Sequence, residues 1–195
     1  MKVILASKSP RRRELLALLG EKMGFDFEII VSEVNEDVEE GMPPEEAVRV
    51  LAQRKGRAVV DSVGADALVI SSDTLVELDG VALGKPCDEA DAVRMLTSLS
   101  DKGHFVRTGV AVHYKGRVYS GTASTEVIFL PLTSEEIQAY VDSGEPMDKA
   151  GAYGIQGGAG KFVKEYRGDF DTVVGLSLAL TERLVKEALG GDEIE

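Results

Sequence analysis

The chain has 195 residues, 44% hydrophobic and 29% charged, enough to bury a sizeable core as one domain or two fused lobes. Its 34 Asp and Glu outweigh 22 Lys and Arg, a net charge of −12 that argues against polynucleotide binding but leaves room for a small phosphorylated ligand. No apolar run approaches the roughly 20 residues that span a bilayer, so no membrane partner is expected. The single cysteine, Cys87, excludes an intramolecular disulfide and fits a cytoplasmic location.

Lys2 to Ala6 reads as a buried strand, with no secretory leader expected ahead of it. Ser7-Lys8-Ser9-Pro10-Arg11-Arg12-Arg13 follows, with two hydroxyls and four positive charges in an acidic chain. A strand, a Ser-rich loop and a helix N-terminus make a natural anion site, because backbone N–H groups and the helix dipole point at the ligand. Arginine adds planar donors that grip phosphate oxygens in pairs. The same cluster also reads as a solvated face. The helix is predicted over Arg11 to Leu19, with Pro10 suited to its start, and a second strand over Phe27 to Val31.

Glu33 to Glu40 is an acidic stretch ending in Gly41-Met42-Pro43-Pro44. Glu33, Glu36 and Asp37 are candidate ligands for a hard cation, or simply a solvated loop. Glu45 to Asp61 has helical spacing, and Ala67 to Ser71 reads as a strand. Ser71-Ser72-Asp73-Thr74 then puts a carboxylate at an expected strand end, where α/β folds place ligand groups and where turns also favour Asp. Asp79-Gly80 between Leu75–Leu78 and Val81–Leu83 signals a tight hairpin. Lys85, between Gly84 and Pro86, is either a phosphate contact or an ordinary exposed lysine.

Glu89 to Leu99 reads as a helix, followed by two β segments, Val106 to Tyr114 and Val118 to Phe129. Thr133 looks like the N-cap of a helix ending near Ser143-Gly144. The glycine-rich stretch from Gly151 to Gly160 reads as a loop, and its Gly160-Lys161 is no P-loop, since that pattern needs Gly at 155 and Ser or Thr at 162, where Ile155 and Phe162 stand. A strand over Phe162 to Tyr166 and a final helix within Val173 to Leu189 complete an α/β or α+β plan, ending in a polar tail over 191–195. His104, His113 and Cys87 make no plausible zinc set.

Taken together, these segments resemble the Maf family of nucleoside-triphosphate pyrophosphatases. The resemblance rests on Leu5-Ala6-Ser7-Lys8-Ser9-Pro10-Arg11-Arg12, Glu36, Leu51-Ala52-Gln53-Arg54-Lys55, Asp73-Thr74, Gly84-Lys85-Pro86 and Thr108-Gly109-Val110. Asp148-Lys149-Ala150-Gly151-Ala152-Tyr153-Gly154-Ile155-Gln156-Gly157 and Val173-Val174-Gly175-Leu176 complete it, in the family's order and across nearly the whole chain. Three places depart from the family's usual pattern: Asp101-Lys102-Gly103-His104, Gly175-Leu176-Ser177, and Gly56 where Ala is usual.

The resemblance implies a single domain over 1–190, with the two-lobed α/β fold shared with inosine triphosphate pyrophosphatases. That fold has a long mixed sheet flanked by helices and a nucleotide cleft between lobes. It implies hydrolysis of nucleoside triphosphates, dTTP and UTP foremost, to monophosphate and pyrophosphate with Mg²⁺ or Mn²⁺. Asp73 matches the family's proton acceptor, and Arg11, Thr74 and Gln156 match positions tied to substrate choice. Ser7, Arg12, Lys55 and Lys85 would bind phosphates, and Glu36 with Asp73 would hold the metal. A homodimer is a further expectation from the family. The competing expectation is a nucleotide-binding regulator of cell division with little catalysis.

Overall fold

The computed structural model describes residues 1–31 and 33–190; the polar tail expected over 191–195 lies outside the described residues. The elements run β1 (Val3–Leu5), α1 (Pro10–Met23), β2 (Glu28–Ile29), α2 (Pro44–Val63), β3 (Leu68–Leu78), β4 (Val81–Leu83), α3 (Glu89–Leu99), β5 (Gly103–Tyr114) and β6 (Arg117–Phe129). They continue with α4 (Ser134–Val141), three short 3-10 turns (Glu145–Asp148, Ala150–Ala152 and Gly158–Phe162), β7 (Val163–Arg167), α5 (Phe170–Val174) and α6 (Leu178–Leu189). The strands form one mixed seven-stranded sheet in the order β2-β1-β3-β5-β6-β7, with β4 added on β3. β1 pairs in parallel with β2 and β3, whereas β3–β4 and β6–β7 are antiparallel.

The chain divides into two compact units: Met1–Asp73, Thr108–Ala123 and the chain from Gly175 on; and Thr74–Arg107 with Ser124–Val174. In the first unit both faces of the sheet are covered. Val3, Leu5, Leu68 and Ile70 pack with Leu16 and Leu19 of α1 and Leu180 and Leu184 of α6. Ile4, Val69 and Ala67, pointing the other way, pack with Val59 of α2. This double burial is why β1 and the start of β3 are continuous apolar runs with no polar alternation. In the second unit α3 and α4 share a core with Val76, Val106, Val127 and Phe129, closed by Tyr153 and Phe162.

Several predicted elements differ in extent. Ser71 to Thr74 is no turn: β3 runs unbroken through it as an 11-residue strand. Its polar side chains find partners in the fold, with Ser71 Oγ donating to Ala52 O at 2.7 Å and Ser72 Oγ to Gly175 O at 2.9 Å. α1 runs four residues past its predicted end, to the left-handed Gly24. The final helix forms within its expected range as α6, and a separate short helix, α5, precedes it across Gly175, whose φ is 124°. The Asp79-Gly80 hairpin forms as expected, both residues having positive φ (52° and 80°), and Thr133 caps α4 in a full capping box.

Candidate active site

The Ser7 loop leaves the sheet at the C-terminal end of β1, beyond the bond from Ala6 N to Ile70 O at 2.8 Å. Ser9 caps α1, its hydroxyl accepting from Arg12 N at 3.4 Å, and the first turn holds arginines with no acidic residue. Cations at that end oppose the helix dipole by roughly 0.3–1 kcal/mol each, an imbalance that an anion relieves. Ser7 is buried, and its Oγ accepts from Ser9 N at 3.2 Å and from Arg12 Nη1 at 3.5 Å.

Arg12 is also a strut. Its Nε donates to Gly175 O and its Nη1 to Ser72 O, both at 2.9 Å, so the guanidinium ties α1 to β3 and to the segment before α6. Burial lowers its pKa; the charges of Asp73 and Glu36 act the other way, and Arg11 adds to the lowering. Arg11 is half-buried and has no hydrogen-bond partner among the described residues.

Ser71 and Asp73 lie two apart on β3 and so share a face. Ser71 bonds the α2 backbone at Ala52, and one turn farther along α2 Lys55 Nζ lies 2.5 Å from Asp73 Oδ1. The same ammonium lies 2.7 Å from Glu36 Oε1. Lys55 and Asp73 are mostly buried, with side-chain exposures of 18% and 14%, whereas Glu36 is 58% exposed. Asp73 Oδ2 has no hydrogen-bond partner among the described residues.

Two glycines let α2 approach this closely. A Cβ on Gly109 of β5 would overlap the Val48 carbonyl, and one on Gly56 would fall 2.5 Å from the His113 ring and 2.6 Å from Ser71 Oγ. Burial lowers the pKa of His113.

Among the described residues no three His, Cys, Asp or Glu side chains form a metal-binding group. Glu36 and Asp73 are the acidic pair that Lys55 joins. Mg²⁺ typically takes one or two carboxylates and completes its shell with phosphates and water. The pair therefore offers the kind of carboxylate oxygens that a hard cation takes.

Thr74, Lys85 and Gln156 belong to the second unit. Thr74 is half-buried on β3, and its side chain points to the face opposite that of Asp73. Lys85 is exposed two residues after β4, beside Gly84, whose carbonyl accepts from Gly151 N at 2.9 Å. Gln156 is exposed at the tip of a turn between two 3-10 segments. Just before that turn Tyr153 is buried, its hydroxyl 2.8 Å from His104 Nε2.

Sequence reasoning missed the groups that hold these residues: Ser72 and Gly175 around Arg12, and Tyr140 and Glu145 around the Gln156 turn. Tyr140 reads as core by its helical spacing, and Glu145 follows the left-handed Gly144 like any surface residue. The glycine-rich run was the one signal that something packs closely there.

The profile of the family described as "Maf-like protein" matches residues 2–188. A Bacillus velezensis protein named "dTTP/UTP pyrophosphatase" is 46% identical over 186 residues, 95% of this chain and 96% of that one. A Vibrio cholerae protein of the same name is 48% identical over 184 residues, 94% and 96% of the two chains. Among solved structures, a nucleoside-triphosphatase / dITP/XTP pyrophosphatase from Mycobacterium abscessus aligns with a TM-score of 0.49 at 16% identity, over 97% of this chain and 95% of that one. With one family profile spanning residues 2–188, and relatives nearly half identical from end to end, this chain belongs to the Maf family.

Proposed function

We propose that this Maf family protein hydrolyses nucleoside triphosphates, dTTP and UTP foremost, to the monophosphate and pyrophosphate. The observation that carries the reading is the Lys55 bridge between Asp73 and Glu36, which leaves Asp73 Oδ2 without a partner among the described residues. A carboxylate oriented through one oxygen can take a proton with the other. Asp73 accepts a proton from a water whose oxygen bonds the α-phosphorus while the bridging bond to the β-phosphate breaks. Glu36 and Asp73 would hold Mg²⁺ or Mn²⁺, which would supply charge neutralisation and a more acidic water.

The chain's cations do the rest. Lys55 and Arg12 offset charge on the departing pyrophosphate, Lys85 binds its outer oxygens, and the Ser7 loop adds donors at the α1 N-terminus. Arg11, Thr74 and Gln156 select the base. Uracil and thymine present an N3–H donor flanked by carbonyls, an edge that the Gln156 amide complements with one acceptor and two donors. The names of the relatives support the pyrimidine choice.

The test is pyrophosphate release with Mg²⁺ or Mn²⁺ across dTTP, UTP, CTP, GTP and ITP. Preference for dTTP and UTP is expected. Preference for GTP or ITP overturns the substrate choice, and UTP binding without pyrophosphate release favours the regulator.

A further inference from the structure

The Gln156 turn is bare backbone, with glycines at 154, 157 and 158, yet it is held from both ends. The Tyr140 hydroxyl accepts from Gly154 N at 3.2 Å and donates to Glu145 Oε1 at 3.1 Å. The other Glu145 oxygen, Oε2, accepts from Gly158 N at 3.0 Å. One carboxylate thus closes a ring from Gly154 through Tyr140 and Glu145 to Gly158, with Gln156 at its tip. Gly157 lies flush against that carboxylate, since a Cβ there would overlap Glu145 Oε1. Across the turn Gly157 N donates to Gly154 O at 3.0 Å.

The carboxylate is itself held. Glu145 lies in a 3-10 turn that begins beside the left-handed Gly144, and its backbone carbonyl accepts from Lys149 Nζ at 2.5 Å. The Lys149 stem packs on Gly154, where a Cβ would lie 2.8 Å from Cε. Tyr140 is buried in the core of the second unit. A charged acceptor is therefore used to order backbone N–H groups that water would otherwise satisfy. Such charge-assisted bonds are worth more than neutral ones.

We propose that Glu145, acting with Tyr140, is a positioning residue for base selection: it fixes the Gly154–Gly158 turn and thereby the reach of the Gln156 amide. The inference rests on the proposed function, in which Gln156 reads the pyrimidine edge. An amide that must satisfy a base edge in a defined plane discriminates only if its backbone cannot follow the wrong base. Base contacts lie away from the reacting phosphorus, so loosening the turn raises KM far more than it lowers kcat.

The experiment measures kcat and KM for UTP and GTP in wild type, Glu145→Ala, Gln156→Ala and the double variant, with amide hydrogen exchange over 154–158. Glu145→Ala is expected to cut the UTP:GTP ratio of kcat/KM about tenfold, mostly through KM, and to add little once Gln156 is gone. Glu145→Gln, which keeps one acceptor oxygen, is expected to recover part of the ratio. An unchanged ratio, or equal losses with and without Gln156, overturns the inference, as does unchanged exchange at Gly157 and Gly158. A wild type that releases no pyrophosphate from UTP fails the proposed function instead, while the exchange data still decide whether Glu145 holds the turn.

Discussion

The Asp73 group and the Gln156 turn order polar chemistry in opposite ways. Around Asp73 the backbone is a strand and a helix, already rigid, and side-chain charges meet across it: Lys55 on α2, Asp73 on β3, Glu36 from the acidic loop. Around Gln156 the backbone is glycine-rich and has little order of its own, so side chains from α4 and from the 3-10 turn after it bond directly to its N–H groups. In the first region the loss of a charged side chain leaves the backbone frame intact, whereas in the second it loosens the frame. Under the proposed function the first carries turnover and the second carries choice.

The contrast can be tested hardest at Asp73. Asp73→Asn keeps the strand and the Lys55–Glu36 contact but removes the proposed proton acceptor, and is expected to lower kcat about a thousandfold with the melting temperature nearly unchanged. Turnover within a few-fold of wild type would remove Asp73 as the base.

Acidification tests the support of the second region. Burial pushes the His104 pKa down to about 4 from the ordinary 6.5. Because the folded value lies below the unfolded one, neutral His104 contributes its full stability above pH 6.5. That contribution drains away as pH falls toward 4, a loss of about 3 kcal/mol at the lower end. Denaturant unfolding of wild type against His104→Gln across that range is expected to show the extra pH dependence only in wild type.

Next in size is Gly109→Ala, whose Cβ would overlap the Val48 carbonyl. It should cost about 2 kcal/mol of stability by overpacking and, by lifting α2 from the sheet, lower kcat while leaving the UTP:GTP ratio in place. Smallest is Gly157→Ala, which displaces the Glu145 carboxylate and should lower that ratio by about fivefold with kcat nearly intact. If both glycine variants changed the same kinetic parameter, the contrast between the regions would fail.

Local chemistry was legible in the sequence wherever a short segment decides its own shape. The Asp79-Gly80 hairpin, the Thr133 cap and the bounds of α3 all follow from adjacent residues. The stretch Ser71 to Thr74 was not legible, because its polar side chains become compatible with a strand only once Ala52 and Gly175 accept from them. The Lys55–Asp73 pair spans 18 positions between a helix and a strand, and nothing in the spacing announces it. Arg12 read as a free phosphate ligand, while the fold also uses it to clamp two backbone carbonyls. Glu145 carried no signal, since its partners are backbone amides that every sequence possesses.

Gly56 has a consequence for how this chain can change over time. A methyl group here would strike the His113 ring and the Ser71 hydroxyl. Positions 56, 71 and 113 are therefore bound together: an alanine at 56 fits only if both Ser71 and His113 give way, so no single compensating change makes room for it.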